Sequence, residues 1–273
     1  MNEFAKRVLV AVFGIPLVIM LTYLGGWYFF ALIFIIAIGA QIEFYLMQKK
    51  KNLHPHFILG LISGLLLLLG IQTEEWHFFG QLFIISLMLI FVSEMRRNNK
   101  NVSSDIGVTL LGIFYIPFFL ATLLYSKIHV DRFFLSVENS GFKFIMILLA
   151  GIWICDTFAY GFGKFFGKHK LYTKVSPNKT IEGGVAGLIG AVCAFALAKF
   201  FHCLPMEWPA AILFGLVVGV IGQTGDLVES WFKRDAGIKD SSNILPGHGG
   251  FLDRFDSLIF LSPAMFVLVL SVL

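Results

Sequence analysis

The sequence predicts an all-α, polytopic membrane protein of about nine transmembrane helices, and three observations carry that expectation. Of its 273 residues 58% are hydrophobic and 14% charged, where an ordinary soluble domain has roughly a quarter charged. Apolar runs of 15 to 22 residues recur from one end of the chain to the other, and at ~1.5 Å per residue each approaches or crosses a hydrocarbon layer ~30 Å thick. The basic residues, finally, fall on alternate sides of these runs.

In order, the runs are 8–24, 27–47, 57–72, 78–93, 106–125, 142–162, 184–203, 209–228 and 251–272. Lys6 and Arg7 ahead of the first also fit the start of a secretory leader. The apolar sequence resumes at Trp27 after only Gly25 and Gly26, so a helical hairpin explains the segment better. The third and fourth runs are short for spans, and a re-entrant pair is the alternative there. Residues 1–130 then supply N-terminal transmembrane helices, and residues 131–273 supply C-terminal helices carrying a polar site. Gly183, Gly187 and Ala191 in the seventh run, and Gly215 and Gly219 in the eighth, follow the small-xxx-small spacing of close helix packing.

With a cytoplasmic N-terminus, 17 of the 21 basic residues lie in inside segments, leaving only Lys127, Arg132, Lys143 and Lys199 outside. The excess of Lys and Arg in cytoplasmic loops therefore orients the chain N-terminus in and, with nine spans, C-terminus out. We expect a multi-pass protein of the cell inner membrane. The net charge of +4 reports this topology and does not call for nucleic acid as a partner. Cys155, Cys193 and Cys203 sit in apolar stretches without metal spacing and read as packing residues.

The first half shows no chemistry. Glu43, near the inner end of the second run, needs either a polar partner or headgroup access. His54, His56 and His77 lie in loops at the bilayer surface. The second half differs. Asp156 stands about seven residues, or ~10 Å, inside the cytoplasmic end of the sixth run. It either serves metal or substrate binding or pairs with a lysine of the next loop and locks helices together.

The densest polar stretch is the 32 residues from Gly225 to Asp256, with six acidic and four basic side chains plus His248. On a helix, Asp226, Glu229, Ser230 and Lys233 share one face. Asp253 and Asp256 are three apart at the start of the ninth run. Between them Pro246, Gly247, Gly249 and Gly250 break any helix and let backbone N–H groups approach an anion. A hairpin would bring Asp226 and Asp253 toward each other, and two carboxylates at one mouth ask for a cation. Oxygen ligands without Cys favour Mg2+ or Mn2+. The surrounding cations would hold phosphates. A charged surface loop closed by its own salt bridges is the plainer alternative.

The same stretch resembles the signature of the CDP-diacylglycerol synthases, or phosphatidate cytidylyltransferases. The resemblance rests on Ser230, Phe232, Lys233, Arg234, Lys239, Asp240, Ser242, Leu245, Pro246, His248, Gly249, Gly250, Phe251, Asp253, Arg254, Phe255 and Asp256. Upstream, Asp156, Tyr160, Gly163, Lys164, Gly167 and the segment from Ser176 to Gly183 also look like family features, although Asn178 departs from the lysine associated with that place. The motifs cover about the last 120 residues.

The resemblance implies that CTP and phosphatidic acid react at a bilayer surface to give CDP-diacylglycerol and pyrophosphate. It implies Asp226 and Asp253 as ligands of divalent metal, with Lys233, Arg234, Lys239 and Arg254 contacting phosphates or neighbouring carboxylates. Asp256 joins the catalytic group. Lys179 and Thr180 belong on the nucleotide side, with Ser230 and Asp156 as further substrate contacts. His248 donates to a phosphate or shapes the glycine loop. A homodimer stays open. A secondary transporter would instead show repeated halves and midplane ionisable residues, and a CDP-alcohol phosphotransferase its Asp-Gly-x-x-Ala-Arg type of motif.

Overall fold

The computed structural model describes residues 3–97, 101–135, 137–242 and 249–272, with side chains from Val12 onward. Within these residues nine continuous helical segments occur, one for each expected span. They are α1 (Glu3–Leu24), α2 (Gly26–Lys49), α3 (Phe57–Thr73), α4 (Trp76–Met95), α5 (Val102–Ile113) running on into α6 (Phe119–Phe133), α7 (Ser140–Phe166), α8 (Ile181–Phe200), α9 (Trp208–Asp235) and α10 (Phe251–Val272). Seven of these segments are long and apolar enough to cross a membrane; the shorter two are α3 and the apolar part of α1, Val12–Leu24. Of the two runs expected to be short, α4 therefore reaches full length.

Two departures from the sequence reading have local causes. The fifth span extends to Phe133, its two helices fused through a π-helical turn at Phe114–Phe118 that contains Pro117. Proline lacks an N–H and its ring crowds the preceding turn, and a widened turn absorbs both without ending the helix. The loop after α7 folds into an antiparallel ribbon of β1 (Lys170–Tyr172) and β2 (Ser176–Thr180), pairing Tyr172 with Ser176 and Lys170 with Thr180. Its register irregularity and two-stranded form leave room for Pro177, which a central strand would exclude.

The chain divides into two compact units, Met1–Tyr125 with Lys233–Phe255, and Ser126–Phe232 with Asp256–Leu273. In the first, Tyr45 wedges its ring where Gly60 and Gly112 leave space. Its hydroxyl donates to Thr109 O (2.8 Å) and accepts from Gln41 Nε2 (3.0 Å). Nearby, His56 meets Glu94 at 2.6 Å and its backbone N–H donates to Thr109 Oγ1 at 2.9 Å. These buried polar groups find partners inside the protein, as groups without access to water require.

The second unit is built on an aromatic stack and close glycine contacts. Phe214 stacks on Phe195 and meets Phe144 edge-on, with ring centroids about 6 Å apart. A Cβ at Gly183 would stand 2.6 Å from Ala159 O on α7, and one at Gly215 2.6 Å from Val192 Cα on α8. The small-residue spacing thus does place α7, α8 and α9 in backbone-to-backbone contact.

Candidate active site

The second unit gathers polar residues from α7, β2 and α9. Thr180 ends β2 and caps α8, its Oγ1 accepting from Gly183 N at 3.2 Å. A threonine oxygen there satisfies one of the free N–H groups of the helix start. The cap fixes the preceding residue, Lys179, whose Nζ lies 2.6 Å from Asp226 Oδ2. Ser230 Oγ, one turn along α9, donates to Asp226 Oδ1 at 3.3 Å. Asp156 on α7 shares the electrostatic field of both Asp226 and Lys179. The backbone of α9 is tied to α8 by Gln223, whose Nε2 donates to Gly184 O at 3.1 Å. Asp226 and Lys179 keep 37% and 27% of their side chains exposed, so both remain accessible to a ligand.

The first unit organises the second group. At the end of α9, Gly237 adopts φ +69°, which only glycine reaches without strain. Ile238 N then donates to Lys233 O (2.9 Å) and Gly237 N to Arg234 O (3.0 Å), the paired bonds of a Schellman stop. The chain turns back and Ser241 meets Asp253. Asp253 Oδ2 accepts from Ser241 Oγ (2.9 Å), Ser241 N (3.0 Å) and Gly250 N (2.9 Å), while Oδ1 accepts from Lys233 Nζ (2.8 Å). This pair is enclosed, with Lys233 13% and Asp253 7% exposed. Gly249 has φ +81°, and a Cβ there would press on Asp253 Oδ2. Arg234, Lys239 and Arg254 are exposed.

Each aspartate central to the sequence reading therefore carries a lysine ammonium. Among the described residues no three His, Cys, Asp or Glu side chains form a ready-made metal cluster. Mg2+ is usually held by one or two carboxylates, with water and substrate phosphates completing its shell. Half-exposed Asp226, with Asp156 in its field, fits that pattern. Asp253, whose oxygens accept from Lys233, Ser241 and Gly250, would have to give up the Lys233 ammonium to meet an ion.

A family model described as the cytidylyltransferase family matches residues 5–272. The chain belongs to this family. The phosphatidate cytidylyltransferase of Synechocystis sp. is 32% identical to it, covering 98% of this chain and 97% of that protein. That of Bacillus subtilis is 32% identical over 98% of both chains. That of Staphylococcus aureus is 33% identical, over 97% of this chain and 98% of that one.

In this cytidylyltransferase the structure unites Asp156, Lys179, Thr180, Asp226 and Ser230 in one unit and Lys233 with Asp253 in the other. Arg234 Nη1 donates to Ile238 O at 3.3 Å, helping to close the α9 stop. Asp256 sits in the second unit, its Oδ1 accepting from Ser257 N at 2.6 Å. His248, with Leu245 and Pro246, lies outside the described residues.

Ser241 escapes the sequence reading, and Glu43 meets its expectation of a polar partner but in a place the sequence did not indicate. Ser241, the residue ahead of the signature's Ser242, gives Asp253 its N–H and shares its single hydroxyl proton between Asp253 and Glu43. Glu43, in the half without evident chemistry, accepts from Ser241 Oγ, Ser242 Oγ, Phe251 N and Leu252 N at 2.6 to 2.9 Å. The available signal was its position: a carboxylate in an apolar run must have partners, and the sequence does not say which.

Proposed function

We propose that this protein transfers CMP from CTP to phosphatidic acid, yielding CDP-diacylglycerol and pyrophosphate, a step of phospholipid biosynthesis. The observation that carries the reading is that similarity to phosphatidate cytidylyltransferases runs the whole length of the chain and not only through its polar segment.

An oxygen of the lipid phosphate attacks the α-phosphorus of CTP. A new phosphorus–oxygen bond forms, the bond from the α-phosphorus to the oxygen bridging to the β-phosphorus breaks, and that oxygen leaves on pyrophosphate. A phosphate monoester has its second pKa near 6, so at neutral pH the attacking group is already largely dianionic and requires no general base. What the protein must supply is positioning and positive charge between two polyanions.

Lys179, held by the Thr180 cap, serves the nucleotide. Lys233, Arg234, Lys239 and Arg254 serve phosphates, with Ser230, His248, Asp156 and Asp256 as supporting polar groups. In the free protein Lys179 and Lys233 neutralise Asp226 and Asp253, keeping both carboxylates oriented until substrate arrives. Asp226 and Asp253 are the proposed ligands of Mg2+ or Mn2+, which would supply charge neutralisation on the nucleotide phosphates and on departing pyrophosphate. The protein is placed in the cell inner membrane with its N-terminus in the cytoplasm, where CTP is found; the distribution of basic residues supports this side.

The test is purified protein in detergent with CTP labelled at the α-phosphate. Label should enter lipid, with release of pyrophosphate, only when phosphatidic acid and Mg2+ are both present. A wild-type protein that leaves CTP intact under these conditions refutes the reading.

A further inference from the structure

Helix α10 begins at Phe251 beside a glycine-rich segment, an arrangement that ordinarily attracts phosphate through free backbone N–H groups and the helix dipole. Here those donors are already taken. Phe251 N donates to Glu43 Oε1 at 2.9 Å and Leu252 N to Glu43 Oε2 at 2.8 Å. Gly250 N turns to Asp253 Oδ2, the reach-back bond of a capping box. Ser242 Oγ and Ser241 Oγ complete the Glu43 shell at 2.6 and 2.9 Å. Glu43 is fully buried and each of its oxygens accepts a backbone N–H, so an amide NH2 in place of either oxygen would face a donor, an environment that suits a carboxylate. The backbone makes room for it: a Cβ on Gly250 would collide with Glu43 Oε2, and one on Gly39, a turn earlier on α2, would stand 2.6 Å from the Phe251 ring.

We propose that Glu43 is a positioning residue for the reaction, an internal anion seated on the N-terminus of α10 that fixes Asp253 through Ser241. Ser241 Oγ lies 2.9 Å from both carboxylates and shares its one proton between them, while Ser241 N donates to Asp253 Oδ2, so the orientation of Asp253 is transmitted from α2. With the first N–H groups of α10 engaged, substrate phosphates are held by side-chain cations and not by this helix start. The inference rests on the proposed function only for the purpose it gives Asp253; the anchoring stands apart from it.

Two measurements on the full-length protein in detergent test it: hydrogen exchange across residues 249–256, and steady-state CMP transfer. In Glu43→Gln, an amide faces donors it cannot satisfy, and exchange at Phe251 and Leu252 should rise about tenfold or more while α3 and α4 keep their protection. The same variant should lose about 100-fold in kcat with the KM for CTP within about threefold of wild type. Glu43→Asp, which keeps the carboxylate, should recover kcat to within about tenfold of wild type. Unchanged exchange at 249–256 in Glu43→Gln overturns the anchor. Raised exchange with undiminished kcat, or exchange raised equally in every helix, overturns the positioning role. A wild type inactive on CTP would defeat the proposed function, and exchange alone would then decide whether Glu43 holds α10.

Discussion

Replacing Lys233 by methionine keeps the aliphatic stem and removes the ammonium, and comparison with Lys179→Met separates the two lysine–aspartate pairs by burial. Lys233 and Asp253 are 13% and 7% exposed; Lys179 and Asp226 are 27% and 37%. Breaking a buried pair strands a charge and costs about 3–5 kcal/mol. Asp253 retains donors from Ser241 and Gly250, which puts the cost at the lower end, about 3 kcal/mol. The more open pair is worth about 0–1 kcal/mol. For a chain of this size each kcal/mol moves the melting temperature by roughly 2–4 °C. Lys233→Met should therefore lower Tm by about 6–12 °C and Lys179→Met by no more than about 4 °C. Fluorescence-monitored unfolding of both variants in the same detergent at the same scan rate makes the comparison. Lys179→Met should nonetheless lose about 100-fold in turnover, the usual scale for removing one group that stabilises transition-state charge. Equal shifts in Tm, or a larger shift for Lys179→Met, would refute the burial argument.

Further outcomes follow from the same geometry. Asp226→Asn and Asp253→Asn should each reduce pyrophosphate release by at least about 100-fold, and robust turnover by either would remove that aspartate from the site. Gly187→Leu should cost about 1–3 kcal/mol, because a Cβ there already stands 2.9 Å from Cys155 O, whereas Gly80→Ala, inside α4 with nothing within 4 Å, should not lower Tm and should stabilise by up to about 1 kcal/mol. A reporter fused after Lys51 should be active only in the cytoplasm and one fused after His202 only outside; the opposite result would invert the topology.

Hydropathy located every helical segment, but elements that depend on pairing did not show. The ribbon of β1 and β2 is short and exposed, and Pro177 and Asn178 are poor strand formers, so no local preference announced it. Pro117 was plain in the sequence, yet whether a helix breaks or widens at a proline depends on what surrounds it. The polar cluster was legible because its residues crowd into short stretches. Which lysine neutralises which aspartate was not: Lys179 reaches Asp226 from another element, and Lys233 pairs with Asp253, twenty positions away.

Composition, span positions and the family signature were set by the sequence alone, because hydropathy adds along a chain regardless of what it packs against. Tertiary structure alone decided the place of Glu43. Its donors lie 198 to 209 residues away, two of them backbone N–H groups that carry no side-chain identity to read. A buried carboxylate announces that it needs partners. Only folding, which brings the C-terminal part of α2 against the first turn of α10, supplies them.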